Sequence, residues 1–252
     1  MSMLSKMTRT FIDKRFPALS SRERGFPLEM NEALNVEKKV IFIAIPKTGT
    51  TSVRTQLGGP RFPIIENPHL DIRQVRDLIY VMLLRATLGG NRSFPCEEFP
   101  TDMVLRTRSQ EMFSSFFKFS AVRNPWARAV SLWSRQEGVE TKTSISFEDF
   151  IAEHHHASDT CRQPTRHVNQ FDWLCDEDGR MLMDYVYKVE EFEAAADEIR
   201  ERTDGRLVLG TRRLNVNPRS TSRTYRDIYT EATRKIVAKR FEKDIDTFGY
   251  VF

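Results

Sequence analysis

Residues 39–52 read KVIFIAIPKTGTTS, and this stretch decides the fold class. Its first part, residues 39–45, is a continuous run of β-branched and aromatic residues, which is typical of a strand buried on both faces in a parallel sheet. Pro46 and the polar residues after it end the strand. A helix is predicted over residues 51–57, ending before Gly58 and Gly59. A buried strand that turns directly into a helix is the building unit of α/β proteins.

The same pattern recurs along the chain. FFKFSAV at residues 116–122 predicts another buried strand, and the helix after it begins with Pro125 near its first turn. Further strands are predicted at 62–65, 185–189 and 206–209. Helices are predicted from Asp71, at 147–155 with Ser146 as N-cap, between 189 and 206, and over 224–248. We therefore predict an α/β fold with a central parallel β-sheet flanked by helices, preceded by an N-terminal arm at 1–37.

Composition narrows the function classes. The 252 residues carry 39 Lys and Arg against 35 Asp and Glu, a net charge of +4 that suits an anionic ligand without selecting one. No basic block interleaved with aromatics and no zinc-finger spacing occurs, so nucleic acid is not an expected partner. No apolar run approaches the ~20 residues that cross a bilayer.

Compartment is indicated by the cysteines and the N-terminus. The three cysteines, Cys96, Cys161 and Cys175, form no CxxC pair, which argues against a disulfide framework and fits a reducing compartment. The basic first 20 residues lack the apolar core of a secretory signal, although a transit peptide or membrane-surface helix stays open beside a simple arm. The expected localisation is cytoplasmic.

The first chemical signal is the turn at residues 46–52. A helix start offers unpaired N–H groups and partial positive charge, and Gly49 lets the backbone approach an anion closely. The turn adds a full charge and several hydroxyls, from Lys47, Thr48, Thr50, Thr51 and Ser52. A Walker A loop would need Gly-Lys-Ser/Thr, which is missing here. The alternative without a ligand is an ordinary polar strand-to-helix turn.

The second signal is FSAVRNPWARAVSLWSR at residues 119–135. Arg123 stands at the end of the strand, and Ser131 lies two helical turns further on. A guanidinium and a hydroxyl that converge can bind one phosphate, because Arg binds phosphate oxygens in a fork. Arg128 and Arg135 stand nearby, and these two could instead face an anionic acceptor.

In this order the two segments resemble the sulfotransferases that use 3′-phosphoadenosine 5′-phosphosulfate (PAPS), and more narrowly the family of carbohydrate enzymes and many bacterial homologues. The resemblance spans about residues 38–252 and implies a three-layer P-loop-like fold in one sulfotransferase domain. It implies that residues 47–52 bind the 5′-phosphosulfate, and that Arg123 and Ser131 bind the 3′-phosphate. Weaker similarity at NPRSTSR, residues 217–223, implies a loop closing over the cofactor. The residues singled out there are Arg219, Ser220 and Thr221.

The implied reaction is in-line transfer of a sulfuryl group to an acceptor hydroxyl or amine, with 3′-phosphoadenosine 5′-phosphate (PAP) as product. Lys47 is the candidate for stabilising the leaving phosphate oxygen. His69 is the leading candidate base, since histidine's ordinary pKa near 6.5 suits proton abstraction at neutral pH. Glu66 is the rival base, and His69 could instead be a structural residue before a helix cap.

The sequence says less about metal binding and about the acceptor. The cluster His154, His155 and His156, with Cys161, His167 and Cys175 after it, repeats no known zinc spacing, and no metal is expected. The acceptor is expected to be a glycan or a small molecule. Two other functions stay open: a kinase-like P-loop phosphotransferase, and a non-catalytic nucleotide-binding protein of the same fold.

Overall fold

A sheet of four strands forms the centre of the part of the chain that the computed structural model describes, namely residues 30–59, 63–88, 101–137, 145–154, 169–210 and 224–252. In spatial order its strands are β1 (Leu34–Asn35), β2 (Val40–Ile43), β3 (Phe117–Val122) and β4 (Tyr185–Lys188). β3 pairs in parallel with both β2 and β4, whereas β1 pairs antiparallel with β2. The predicted sheet is confirmed as mainly parallel, with a short antiparallel edge strand that was not predicted from the sequence.

Helices flank this sheet. They are α1 (Thr50–Leu57), α2 (Ile72–Leu88), α3 (Asp102–Ser115), α4 (Pro125–Glu137), α5 (Phe147–Asp149), α6 (Phe192–Arg202), α7 (Glu231–Arg240) and α8 (Glu242–Phe248). α5 continues as a π-helical turn, Phe150–His154, and Ser146 caps it as predicted by accepting from the Asp149 N–H. Short 3₁₀ turns lie at Phe171–Trp173, Val189–Glu191 and Tyr225–Ile228.

Three predicted elements are wrong. The described residues 63–65 and 206–209 are not strands. In the second segment Leu207 and Leu209 are buried in the core, and the side chain of Gln56 bonds both N–H and C=O of Gly210 in place of a neighbouring strand. The single helix predicted over 224–248 is three pieces, because Thr230 starts a new helix with a capping box and Phe241 leaves helical geometry.

The core lies on both faces of the sheet. Along β2, Ile41 and Ile43 join one cluster of buried residues, which includes side chains of α2, α4 and α7. Val40 and Phe42 join the other cluster, which includes side chains of α1 and α6. Alternate residues of one strand are therefore buried on opposite faces, which is the physical reason for the unbroken apolar run in its sequence.

The described residues before 38 also pack onto this domain. Met30, Ala33 and Leu34 are buried, and β1 extends the sheet beside β2. The domain boundary at residue 38 stays a prediction. Among the helices in the described ranges, none has the length and apolar character needed to cross a membrane.

Candidate active site

The turn after β2 is held in an unusual backbone conformation. Lys47 has φ +69° and Gly49 has φ +74°, so two residues of the turn lie in the left-handed region. A Cβ on Gly49 would stand 2.7 Å from Cγ2 of Val189, so only glycine fits at this position. A non-glycine residue at positive φ is uncommon and marks strain that the surroundings must hold in place.

Polar side chains around this turn divide into buried and exposed ones. Thr48 is buried, and its hydroxyl donates to the Ile45 carbonyl over 3.0 Å. Thr50 and Ser52 are also buried at the start of α1, whereas Thr51 is exposed and Lys47 is half-buried. The first turn of α1 contains no acidic residue. The helix therefore presents its positive end without a neutralising carboxylate of its own.

Arg123 comes to the same edge of the sheet. It follows the last residue of β3, and β3 runs parallel to β2 with Ser120 opposite Ile43. The carboxyl ends of the two strands thus meet, and Nη1 of Arg123 donates to the Lys47 carbonyl oxygen over 3.2 Å. The structure therefore joins two sequence signals that lie 76 residues apart.

Arg128 supports the turn from inside the protein. Its side chain is buried, and Nε donates to the Pro46 carbonyl over 3.0 Å. The structure thus shows Arg128 bound to the candidate anion loop, and the alternative that it faces an anionic acceptor stays a prediction. The side chain of Arg135 lies outside the described residues.

The helix that carries Ser131 is anchored at its start. Asn124 precedes α4, and its Oδ1 accepts from the N–H groups of Trp126 (3.1 Å) and Ala127 (3.3 Å). This is an N-cap, which satisfies two of the helix's unpaired donors. Ser131 is half-buried two turns further along α4. Its place in phosphate binding stays a prediction.

Burial sets the electrostatics at Arg123. Removal from water lowers the pKa of its guanidinium below the ordinary value, and the nearby Glu190 and Tyr250 oppose that shift. The group remains charged at neutral pH, since its pKa starts far above that range. An anion that pairs with this guanidinium would offset the free energy of desolvating it.

His69 contacts the carboxyl end of β2. Its Nδ1 stands 2.6 Å from the carbonyl oxygen of Ala44, the residue after β2. A carbonyl can only accept, so Nδ1 carries the proton and Nε2 is the basic nitrogen of the neutral ring. Glu66 is exposed, whereas His69 is half-buried. Which of the two acts as base stays a prediction.

Several predicted residues lie outside the described residues. These are Arg219, Ser220 and Thr221 of the predicted closing loop, together with His155, His156, Cys161 and His167; the side chain of His154 is also not described. Over the ranges that the structure describes, no group of three or more His, Cys, Asp or Glu side chains could hold a metal ion.

Two buried polar residues behind Arg123 were not predicted from the sequence. Gln170 and Asp244 are fully buried, and the Gln170 side chain bonds both the backbone N–H and the backbone C=O of Arg123. Gln170 belongs to the stretch RHVNQFDWLC at residues 166–175, but nothing in its spacing points to Arg123, 47 residues away.

Glu190 was missed as well. Its Oε1 accepts from the Asn124 N–H over 3.0 Å, and its Oε2 accepts from the Tyr250 hydroxyl over 3.4 Å. Glu190 thereby ties the start of α4 to the C-terminal residues. Its position shortly after β4, at the same edge as Arg123, is a signal that could have identified it.

Comparison with known protein families identifies the family of this chain. A model described as "Sulfotransferase family" matches residues 87–251, about two thirds of the chain. The match includes Arg123 and Ser131 and begins after the turn at residues 46–52. Neither the curated proteins nor the solved structures gave a significant match. The chain belongs to the sulfotransferase family and is a transferase enzyme.

Proposed function

We propose that this protein moves a sulfuryl group from PAPS to an acceptor hydroxyl by in-line displacement, leaving PAP. The family supports sulfuryl transfer, and PAPS is the donor that sulfotransferases generally use. The observation that carries the proposal is the 3.2 Å bond from Arg123 to the Lys47 carbonyl. It sets the candidate 3′-phosphate residue beside the candidate 5′-phosphosulfate loop.

The chemistry of the donors fits such a molecule. PAPS carries anionic groups at two ends of its ribose, and the site offers two sets of anion donors. One set is Lys47 with the start of α1, whose first turn carries no acidic residue. The other is Arg123 with Ser131, a guanidinium in desolvated surroundings followed by a hydroxyl on α4.

Each residue then has a separate task. When bound, PAPS supplies the activated sulfuryl group. Lys47 and the N–H groups of the turn stabilise negative charge that develops on the leaving phosphate oxygen. Nε2 of His69 takes the acceptor's proton while the new oxygen–sulfur bond forms and the bond from sulfur to the phosphate oxygen breaks. The 2.6 Å bond from Nδ1 to Ala44 holds the ring in the tautomer that this task needs.

For the acceptor, we propose only a chemical class. We take it to be a sugar or a small molecule bearing a hydroxyl, contacted by the stretches 60–68, 89–107 and 138–170. We also take residues 38–252 to form one three-layer, P-loop-like sulfotransferase domain. The helices on both faces of the sheet support that arrangement.

Calorimetric titration tests the proposal. PAP should bind the wild-type protein more tightly than AMP or ATP–Mg²⁺, and Arg123→Ala should weaken PAP binding by roughly 10- to 100-fold, the range for losing a charged hydrogen-bond partner. Arg180→Ala is the matched control, because Arg180 is exposed and pairs with Asp178 at 3.6 Å. Tighter binding of ATP–Mg²⁺ would favour the kinase-like alternative.

A second measurement separates catalysis from binding. Incubation with sulfur-labelled PAPS and a panel of hydroxyl acceptors should transfer label in the wild type. PAP binding that matches the prediction, with no transfer to any acceptor or to water, would favour the non-catalytic alternative.

A further inference from the structure

The Gln170 side chain binds the backbone of Arg123 as a neighbouring strand would. Its Oε1 accepts from the Arg123 N–H over 2.9 Å, and its Nε2 donates to the Arg123 carbonyl over 2.9 Å. The backbone pairing between β3 and β4 ends one residue earlier, at Val122 and Lys188. Gln170 therefore extends the ladder by one residue and fixes the backbone dihedrals of Arg123.

Asp244 of α8 holds Gln170 in turn. Its Oδ2 accepts from the Gln170 backbone N–H over 2.8 Å and from the Gln170 Nε2 over 3.2 Å. Its Oδ1 accepts from the Phe171 N–H over 2.9 Å. The Arg123 N–H can only donate, whereas the Arg123 carbonyl and the Asp244 carboxylate can only accept. The Gln170 amide therefore turns its oxygen to the Arg123 N–H and its nitrogen to the two acceptors.

The same carboxylate acts on the loop side of the site. Asp244 interacts electrostatically with Arg128, whose Nε donates to the Pro46 carbonyl. Burial raises the pKa of Asp244, whereas its backbone bonds and Arg128 lower it. The Arg128 bond to Pro46 does not itself involve Asp244, so Asp244→Asn leaves that bond in place, whereas the contact of Gln170 with Arg123 is held directly by the Asp244 carboxylate.

We propose that Asp244 is a positioning residue whose carboxylate, acting through Gln170, fixes the backbone from which the Arg123 guanidinium reaches the 3′-phosphate of the donor. This inference rests on the proposed function, since it assigns the 3′-phosphate to Arg123. Asp244 touches no substrate. It acts by keeping the backbone of Arg123 in one conformation, so that no free energy of binding is spent on ordering it.

Asp244→Asn is the sharpest test, because it preserves shape and replaces one accepting oxygen with a donor that faces an N–H group. We expect PAP affinity to fall by about tenfold, because the free energy of ordering the Arg123 backbone must then be spent on binding. AMP, which lacks the 3′-phosphate, should bind within about twofold of wild type, since the 5′ site stays in place. Asp246→Asn is the control, because Asp246 is exposed on the same helix.

Two further variants keep the test decisive. Gln170→Met retains volume, leaves Asp244 bound to the Phe171 N–H, and should give the same selective loss if Asp244→Asn does not fold. In an Arg123→Ala background, Asp244→Asn should cause no additional loss of PAP affinity, because the residue that it positions is gone. Circular dichroism and urea unfolding confirm that each variant is folded.

The outcomes separate the two claims. An unchanged ratio of PAP to AMP affinity in folded Asp244→Asn, or equal losses for both nucleotides, would overturn the positioning role and leave the proposed function standing. A wild-type protein that shows no preference for PAP over AMP would overturn the proposed function first, and the positioning role with it.

Discussion

Among the glycines that the structure describes, Gly49 has the least space for a Cβ atom. In Gly49→Ala the new Cβ stands 2.7 Å from Cγ2 of Val189, and the backbone must keep φ +74°. Gly58, at the other end of α1, has a similar φ of +69°, but a Cβ added there would meet no atom of the described residues within 4 Å. A comparison of Gly49→Ala with Gly58→Ala therefore separates the free-energy cost of backbone strain from that of the steric clash.

The magnitudes follow from these two effects. Holding alanine in the left-handed region costs about 1–2 kcal/mol. Forcing a methyl group into a filled space adds about 1–3 kcal/mol. Gly58→Ala should thus lower the free energy of unfolding by about 1–2 kcal/mol, and Gly49→Ala by about 2–5 kcal/mol.

Urea unfolding followed by circular dichroism measures both variants. A double-mutant cycle with Val189→Ala isolates the collision, because that change removes Cγ2. In the Val189→Ala background, the cost of Gly49→Ala should shrink to about that of Gly58→Ala, a coupling of about 1–3 kcal/mol. Equal losses for the two glycine variants, or a cycle with no coupling, would refute the close packing of the turn against the end of β4.

Three other predictions concern the chemistry and the surface. Lys47→Met should lower kcat by about 10²–10³ with intact folding, as for the loss of one preorganised donor; an unchanged kcat would remove Lys47 from the reaction. In pH–rate profiles, kcat of the wild type should fall toward acidic pH because the base becomes protonated. His69→Gln should lower kcat and remove this pH dependence, whereas Glu66→Gln should do neither. The reverse result would make Glu66 the base. The forked hydrogen bonds from Arg76 lower the pKa of Glu177 to about 2, so this pair stabilises the fold above the ordinary glutamate pKa of 4.5 and loses that effect as the pH falls through about 2. The urea-unfolding midpoints of wild type and Glu177→Gln should differ only slightly, because the pair is exposed. This difference should narrow as the pH is lowered from about 5 toward about 2. A difference that stays constant over this range would contradict the pairing.

Local patterns predicted the elements that carry the chemistry. β2 is apolar on both faces because both faces are buried, so its consecutive residues are all apolar. β3 follows the same pattern except at Lys118 and Ser120, which are buried polar residues. The turn at residues 46–52 and the helix start at Pro125 are likewise local features. Their meeting at one edge of the sheet follows from parallel pairing, which the strand–helix alternation implied.

Elements held by contacts distant in sequence escaped prediction. α3 buries only Leu105 and Ser109 among its residues, so it shows no strong amphipathic pattern. β1 has two residues and exists through its pairing with β2. The terminal helix looked continuous in sequence because the apolar spacing persists across the break at Phe241. α3 and β1 therefore depend on tertiary contacts, α3 with α2 and β1 with β2, whereas the new helix start at Thr230 is a local feature made by its capping box.

The candidate site shows the same division between direct contact and support. Lys47 and Arg123 carry a charge shortly after a buried strand, and that pattern is visible in the sequence alone. The contact of His69 with Ala44, 25 residues away and directly after β2, is visible only in the fold. Gln170 and Asp244 have no such signature, because a buried amide and a buried carboxylate become meaningful only beside the backbone that they bind. Since the Arg123 backbone lies beyond the last rung of the β3–β4 ladder, something outside the sheet must hold it. In this fold the partner is the Gln170 side chain, and Asp244 of the C-terminal helix α8 holds Gln170 in turn.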